Sequence, residues 1–305
     1  MILRRRVRKA MNSQVIELWK GSCREMPHGS RAFLTAALLP PSPDGGLRPA
    51  ILVVPGGGYG GVCFDSEGAP IARRFNALGY SCFILTYRCG ECGRSPSMFQ
   101  DAVRAVRLIR ARAAEFGIDP EQVASCGFSA GGHLAAALGT NYCEGIEAEA
   151  GDVADRCDWR VNAMILCYAV LSGREDEGHP GSLFNCFGLH SGENPTEAQY
   201  REFAIWNHLD ERTAPAFIWH TAEDQVVSPR GAQLLTGAMR KRGLVCSEHS
   251  FPFGDHGMLA AIGTDAEVWM SAADQFMRMV YRRRRLTAEE FHVQYTNAEQ
   301  FRRER

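Results

Sequence analysis

Gly127-Phe128-Ser129-Ala130-Gly131 is a Gly-x-Ser-x-Gly pentapeptide, and its flanks decide how the rest of the chain is read. Upstream, Gln122-Val123-Ala124-Ser125-Cys126 is short and apolar at alternating positions, which predicts a strand. Downstream, Gly132-His133-Leu134-Ala135-Ala136-Ala137-Leu138 predicts a helix whose small side chains allow close packing. A serine set between a strand and a helix by glycines has the pattern of a nucleophile elbow, a sharp turn that lifts the serine oxygen clear of the sheet edge. The strained turn leaves no room for Cβ atoms beside the serine, which is why glycine is needed there. The pentapeptide by itself is a weak signal, because glycine and serine are common in turns. Between a strand and a helix it points to a hydrolase.

Outward from the pentapeptide, strands and helices alternate. Ala50 to Val54 is a continuous apolar run, as expected of a strand buried on both faces, and it leads into Pro55-Gly56-Gly57-Gly58-Tyr59. Ala69 to Leu78 has helical character and stops at Gly79. Ser81 to Tyr87 is a second buried strand. From Asp101 to Phe116, Val103, Val106, Ile109, Ala113 and Phe116 recur at helical spacing with arginines on the other face. Strands follow at Val161–Val170, Pro215–His220 and Val245–Phe251, with helices at Arg230–Lys241 and Asp265–Tyr281. This rhythm predicts an α/β fold: a doubly wound, mostly parallel sheet with helices on both faces.

Two regions break the rhythm. Residues 175–210 hold glycines, prolines, histidines and aromatics without sheet periodicity, directly after a strand. Such an insertion lies over the C-terminal sheet edge, where open α/β sheets bind ligands, and is a candidate cap. The C-terminal run Arg282 to Arg285 is followed by Glu289 and Glu290, so it reads as a solvated helix end rather than a nucleic-acid patch. The expected organisation is a basic N-terminal extension over 1–20, a catalytic domain over 21–290 and a charged tail over 291–305. Met11 offers an alternative start.

At 305 residues the chain suits one large α/β domain or two smaller ones. The net charge of −1 gives no general attraction to nucleic acid or an acidic membrane. No apolar run approaches the roughly 20 residues that span a bilayer. The basic leader Met1 to Lys9 lacks a following apolar segment, so no secretory signal is expected and a cytoplasmic location is. The 11 cysteines are odd in number and scattered, which agrees with a reducing compartment. Cys89-Gly-Glu-Cys92 is the one Cys-x-x-Cys pair; with no second pair or ligand-spaced histidines, no metal site is expected.

Serine is a poor nucleophile at neutral pH and needs a base within hydrogen-bond reach and a group that orients the base. Trp219-His220-Thr221-Ala222-Glu223-Asp224 places acids just after a buried strand, and Phe253-Gly254-Asp255-His256-Gly257 places a histidine after the next. Both loops open on the edge that carries Ser129, in the chain order serine, acid, histidine. His256 is the preferred base because its loop is flexible and exposed. His220 and His249 lie in strands and suit local hydrogen bonds; His133 suits packing; His179, His190 and His208 fall in the cap. Asp224 is the preferred acid over Glu223, and Asp255 adjoins the base too closely to orient it. Backbone N–H groups must meet the oxyanion of acyl transfer. Ala130 supplies one, and the glycine loop after Ala50–Val54 supplies the others. A phosphate-cradling role for that loop lacks the Lys-Ser/Thr or spaced-glycine pattern.

Pro55-Gly-Gly-Gly-Tyr59, Gly127 to Ala135, His220 to Val227 and Gly254-Asp-His-Gly257 together resemble the α/β-hydrolase acetyl esterases, in particular the subgroup related to acetyl xylan and feruloyl esterases. The resemblance covers residues 30–282 in four ordered motifs. It implies an α/β-hydrolase fold, no cofactor, and hydrolysis of short acyl esters on carbohydrates, so that the partner is a small-molecule or oligosaccharide ester. By motif position it implies Ser129 as nucleophile, Asp224 as acid, His256 as base, and Gly57, Gly58 and Ala130 as oxyanion donors. Pro55 stands where the hormone-sensitive-lipase branch has histidine, which argues against that branch. A prolyl-oligopeptidase-like peptidase shares fold and triad and is the alternative within the enzyme class. A non-catalytic binding protein on the same fold is the alternative outside it.

Overall fold

A computed structural model describes residues 13–19 and 31–285. Eight strands make one sheet: β1 (Ser13–Glu17), β2 (Phe33–Ala37), β3 (Arg48–Val54), β4 (Ser81–Thr86), β5 (Ile118–Phe128), β6 (Ala163–Cys167), β7 (Ala216–Thr221) and β8 (Cys246–Phe251). Their spatial order is β1-β2-β4-β3-β5-β6-β7-β8. The first two strands run antiparallel to their neighbours, and every pairing from β4 through β3 to β8 is parallel. The doubly wound, mostly parallel sheet expected from the strand–helix alternation is present.

The helices are α1 (Ala69–Ala77), α2 (Ser97–Ala111), the short α3 (Ala113–Phe116), α4 (Ala130–Ala137), α5 (Pro180–Phe187), α6 (Glu197–Phe203), α7 (Arg230–Lys241) and α8 (Trp269–Arg285). Period-2 alternation in the strands feeds two cores. Leu52 and Val54 of β3 pack with α2, α4 and α7 on one face. Ile51 and Val53, with Ala124, Cys126 and Phe128 of β5, pack with α1 and α8 on the other. Both faces of the central strands are covered, so those strands read as unbroken apolar runs. The edge strand β8 is only partly buried and carries Ser247, Glu248 and His249.

An aromatic floor lies under the elbow. Trp219 of β7 stacks on Trp269 of α8 at 5.3 Å, and Phe128 meets Trp269 edge-on at 6.2 Å. Such ring pairs add about 0.5–1.5 kcal/mol each beyond their buried area. The strand that leads into Ser129 is therefore anchored from below by side chains of α8, near the far end of the sequence.

Several expected boundaries shift. The strands β1 and β2 were not expected: residues 13–17 pair with β2, so the extension assigned to 1–20 is corrected there. Val15 is exposed while Ile16 is buried, an alternation too short to stand out at a sheet edge. The helix expected over 101–116 begins at Ser97 and breaks at Arg112, whose φ of −107° departs from helical values. The helix expected from Asp265 starts with one 3₁₀ turn, Asp265–Val268, and runs on as α8. The first twelve residues and the tail assigned to 291–305 lie outside the described residues. Among those described, no helix is long and apolar enough to cross a membrane.

Candidate active site

The parallel strands β3, β5, β7 and β8 all point their C-terminal ends at one sheet edge, and each delivers one part of the site there. The turn after β5 carries Ser129 with φ 52° and ψ −123°, the strained backbone of an elbow. Gly127 allows it: a Cβ there would sit 2.2 Å from the Gly131 carbonyl oxygen. The Ser129 amide donates to Cys167 at the end of β6, and the Ser129 carbonyl accepts from Gly132 and Val170. The strained turn is thus over-determined by its neighbours, which lets the strain persist.

The Ser129 hydroxyl lies 2.9 Å from His256 Nε2, and His256 Nδ1 lies 2.7 Å from Asp224 Oδ2. One proton arrangement satisfies both contacts: Nδ1–H donates to the carboxylate and Nε2 accepts from the serine. Asp224 Oδ1 accepts from the amides of Val226 and Val227 at 2.9 and 2.8 Å, so both carboxylate oxygens are engaged. Burial works against its negative charge. Hydrogen bonds from His220, His256 and the Val227 amide outweigh that effect and hold the carboxyl well below the usual carboxylate range.

The rival acids occupy other positions. Glu223 Oε2 accepts from the Gly254 amide at 3.1 Å and braces the loop that carries His256. Asp255 accepts from the His256 amide at 2.7 Å. Among the rival histidines, His249 contacts Ser247 Oγ within its own strand. His133 is fully buried: Nδ1 accepts from the Tyr59 hydroxyl at 2.7 Å and Nε2–H donates to the Phe203 carbonyl at 2.9 Å. Desolvation lowers its pKa to about 3. It packs as expected and fastens α6 of the insertion to α4.

The glycine loop follows β3. Gly57 adopts φ 126°, open only to glycine, and a Cβ there would meet the Gly61 carbonyl oxygen at 2.4 Å. The Gly57 carbonyl accepts from Gly60 and Gly61, closing the loop into a tight turn. The insertion between β6 and β7 folds as α5, α6 and a 3₁₀ turn, Ile205–His208. Asn185 of α5 donates to the Gly58 carbonyl at 2.8 Å, so the insertion sits directly on this loop. His179 caps α5, with Nδ1 accepting from the Ser182 amide at 3.1 Å. His208 Nε2 contacts the Glu202 carbonyl within the insertion. Cys89 is buried and Cys92 exposed, both as free thiols.

Three side chains at this edge make contacts that the sequence did not reveal: His220, expected only to bond locally, and Glu67 and Tyr168, which it did not single out. His220 Nε2 lies 2.9 Å from Asp224 Oδ2, so its local bond is to the acid itself. Glu67 is buried and accepts from the Gly56 amide at 2.6 Å and from the Tyr168 hydroxyl at 3.0 Å. Glu67 sits in a polar stretch, Phe64 to Gly68, with no sequence mark of burial. Tyr168 lies inside an apolar run that continues to Leu171, so its hydroxyl was hidden in a core pattern.

The BD-FAE family profile matches residues 38–239. The chain is 32% identical over 244 residues to an acetylxylan esterase of Xylanibacter ruminicola, covering 79% of this chain and 45% of that protein. It is likewise 32% identical over 220 residues to endo-1,4-beta-xylanase B of Butyrivibrio fibrisolvens, covering 70% of this chain and 33% of that protein. The chain therefore spans less than half the length of either relative. Among solved structures, an acetyl ester-xyloside bifunctional hydrolase from Caldicellulosiruptor lactoaceticus superposes with a TM-score of 0.78 at 30% identity, covering 88% of this chain and 97% of that one. An α/β hydrolase from a deep-sea metagenome library, MGS-M1, superposes at 0.65 with 26% identity, over 88% and 98% of the two chains. With the sheet order and the elbow in agreement, the chain belongs to the BD-FAE family and has an α/β-hydrolase fold, and several of the proteins it is similar to are named as esterases.

Proposed function

We propose that this chain is a serine esterase that removes short acyl groups, acetyl above all, from xylan-derived oligosaccharides. The observation that carries the reading is the unbroken hydrogen-bond line Ser129–His256–Asp224 on a strained elbow. In this reading Ser129 Oγ attacks the ester carbonyl while His256 Nε2 takes its proton. Asp224 holds the imidazole through Nδ1–H and stabilises its charged form. The oxyanion is met by the backbone amides of Gly57, Gly58 and Ala130, none of which donates to another group in the bonds described for these residues. His256 then protonates the leaving alcohol and activates the water that releases the acyl group from Ser129.

Two features support the sugar and acetyl parts of the proposal. The relatives named for xylan chemistry, and the bifunctional acetyl ester-xyloside hydrolase, are among the proteins this chain is similar to. The insertion over the edge is short and mixes Asn185 and His179 with Phe184 and Phe187, a combination that suits sugar rings and hydroxyls better than a lipid chain. The test is turnover of acetylated xylo-oligosaccharides beside an acyl-length series from acetyl to long-chain p-nitrophenyl esters. We expect a sharp preference for acetyl over chains of about eight carbons, because a shallow site cannot bury methylenes worth roughly 0.8 kcal/mol each. Activity that rises with chain length would replace the carbohydrate reading with a lipase-like one.

A further inference from the structure

Glu67 is a buried carboxylate that the Ser129–His256–Asp224 line does not use. It lies in a single π-helical turn, Phe64–Gly68, a local distortion that recurs at functional sites. Its Oε2 accepts from the Gly56 amide at 2.6 Å, at the start of the glycine loop. Its Oε1 accepts from the Tyr168 hydroxyl at 3.0 Å, and the Tyr168 oxygen accepts in turn from the Leu259 amide at 3.3 Å. Gly56 lies against the nucleophile, since a Cβ placed on it would be 2.8 Å from Ser129 Cβ and 3.0 Å from Glu67 Oε2. The Tyr168 ring meets the His256 ring edge-on at 5.0 Å. Three hydrogen bonds thus join the glycine loop, the exit of β6 and the loop that carries His256.

A carboxylate is an expensive way to fill this space. Burial pushes the Glu67 pKa up, opposed by the Gly56 amide, the Tyr168 hydroxyl and the proximity of His256. An aliphatic side chain here would avoid burying a carboxylate but would leave the Gly56 amide and the Tyr168 hydroxyl without their acceptor. Tyr168 and Leu259 both hold positive φ, 36° and 57°, a region disfavoured for residues with a Cβ. The polar group and the strained backbone occur together at the junction of the two loops.

We propose that Glu67 and Tyr168 form a positioning pair that sets the distance between the oxyanion loop and the base loop. The pair holds the loop amides and His256 in register on one reacting carbonyl, and touches no substrate atom. The inference rests on the esterase reading above and names two of the residues on which its geometry depends.

The test compares Glu67→Ala, Glu67→Gln, Tyr168→Phe and the Glu67→Gln/Tyr168→Phe double variant. Steady-state kinetics on p-nitrophenyl acetate are read beside amide hydrogen exchange at Gly56 and Leu259. A glutamine keeps an oxygen for the Gly56 amide, so it should recover much of what alanine loses. We expect Glu67→Ala to lower kcat about 100-fold and Tyr168→Phe about tenfold, with KM within about threefold, as for a lost charged and a lost neutral hydrogen bond. The double variant should lose less than the product of the two single losses, because both act through one link. Exchange at Leu259 should quicken in Glu67→Ala, because the Leu259 amide is linked to Glu67 through the Tyr168 hydroxyl. Unchanged Leu259 exchange in Glu67→Ala, or a glutamine variant no better than alanine, overturns the proposal. The exchange readings need no turnover, so they decide this pair even if Ser129-independent hydrolysis were to sink the esterase reading.

Discussion

His220 Nε2 lies 2.9 Å from the same Asp224 oxygen that His256 Nδ1 approaches at 2.7 Å, so one carboxylate oxygen serves two imidazoles. His220 Nε2 also lies 3.0 Å from the Val227 carbonyl, and the buried Nδ1 has no hydrogen-bond partner among the described residues. Two acceptors face Nε2, so Nε2 carries a proton and donates. His220 is a second donor that fixes the direction of the acid. Its side chain is almost fully buried, beside an Asp224 side chain that is fully buried.

Replacing His220 by leucine should lower kcat about ten- to a hundredfold, the weight of one hydrogen bond to a charged group. Glutamine, which can present an N–H near the position of Nε2, should restore most of it. Steady-state kinetics with thermal melts separate this from misfolding: equal losses in both variants, in step with lost stability, would reduce His220 to a packing residue.

Ser129→Ala should remove nearly all turnover and all labelling by a serine-directed phosphonate, because the covalent route disappears. Its melting temperature should stay close to that of the unchanged protein, since alanine keeps Cβ and gives up only a half-buried hydroxyl. Intact-mass spectrometry after phosphonate treatment reads the outcome. Ester hydrolysis at the original rate in the folded variant would remove Ser129 from the mechanism.

Asp224→Asn should lower kcat strongly, towards the ~10⁴ seen when a triad acid becomes an amide and favours the wrong imidazole tautomer. Glu223→Gln should be mild, because an amide oxygen can still accept from the Gly254 amide. Parallel kcat and KM measurements on the two variants decide the assignment, and the reverse order of severity would transfer the acid role to Glu223.

Stability should fall as the pH drops below neutral, in part through His133. Desolvation depresses its folded pKa to about 3, against about 6.5 in the unfolded chain. Between those values the unfolded state binds a proton that the folded state refuses, so stability declines with falling pH by up to about 1.4 kcal/mol per unit. His179, His208 and His249 are also lowered by burial and add the same sign. Urea unfolding from pH 7 to 4 should show a shallower loss for His133→Gln than for the unchanged protein, and parallel curves would show that His133 does not carry this proton.

Much of the site was legible because its parts are local in sequence. The elbow is a five-residue pattern, the glycine loop directly follows an apolar run, and the Asp224 and His256 loops each follow a strand. The family resemblance, by motif position, pointed to Asp224 rather than its neighbour Glu223; Asp224 Oδ2 lies 2.7 Å from His256 Nδ1, while Glu223 accepts from the Gly254 amide. The two N-terminal strands were missed because each is only five residues long; β1 alternates briefly at the sheet edge, and β2 is buried behind it. The break at Arg112 was missed because helical spacing of the apolar side chains continues across it.

The sequence by itself determined the strand–helix alternation, the doubly wound sheet and the residues that meet at its edge, because period, turn chemistry and motif order are properties of neighbours along the chain. Tertiary structure alone decided what faces those residues. His220 became a partner of the acid only when the loop after β7 turned back on its own strand. Glu67 became a buried strut only when α1 and its entry turn packed beneath Gly56 and Tyr168, 11 and 101 residues away. A buried polar group takes its role from whichever donors lie within about 3 Å, and the folding of distant segments sets that distance.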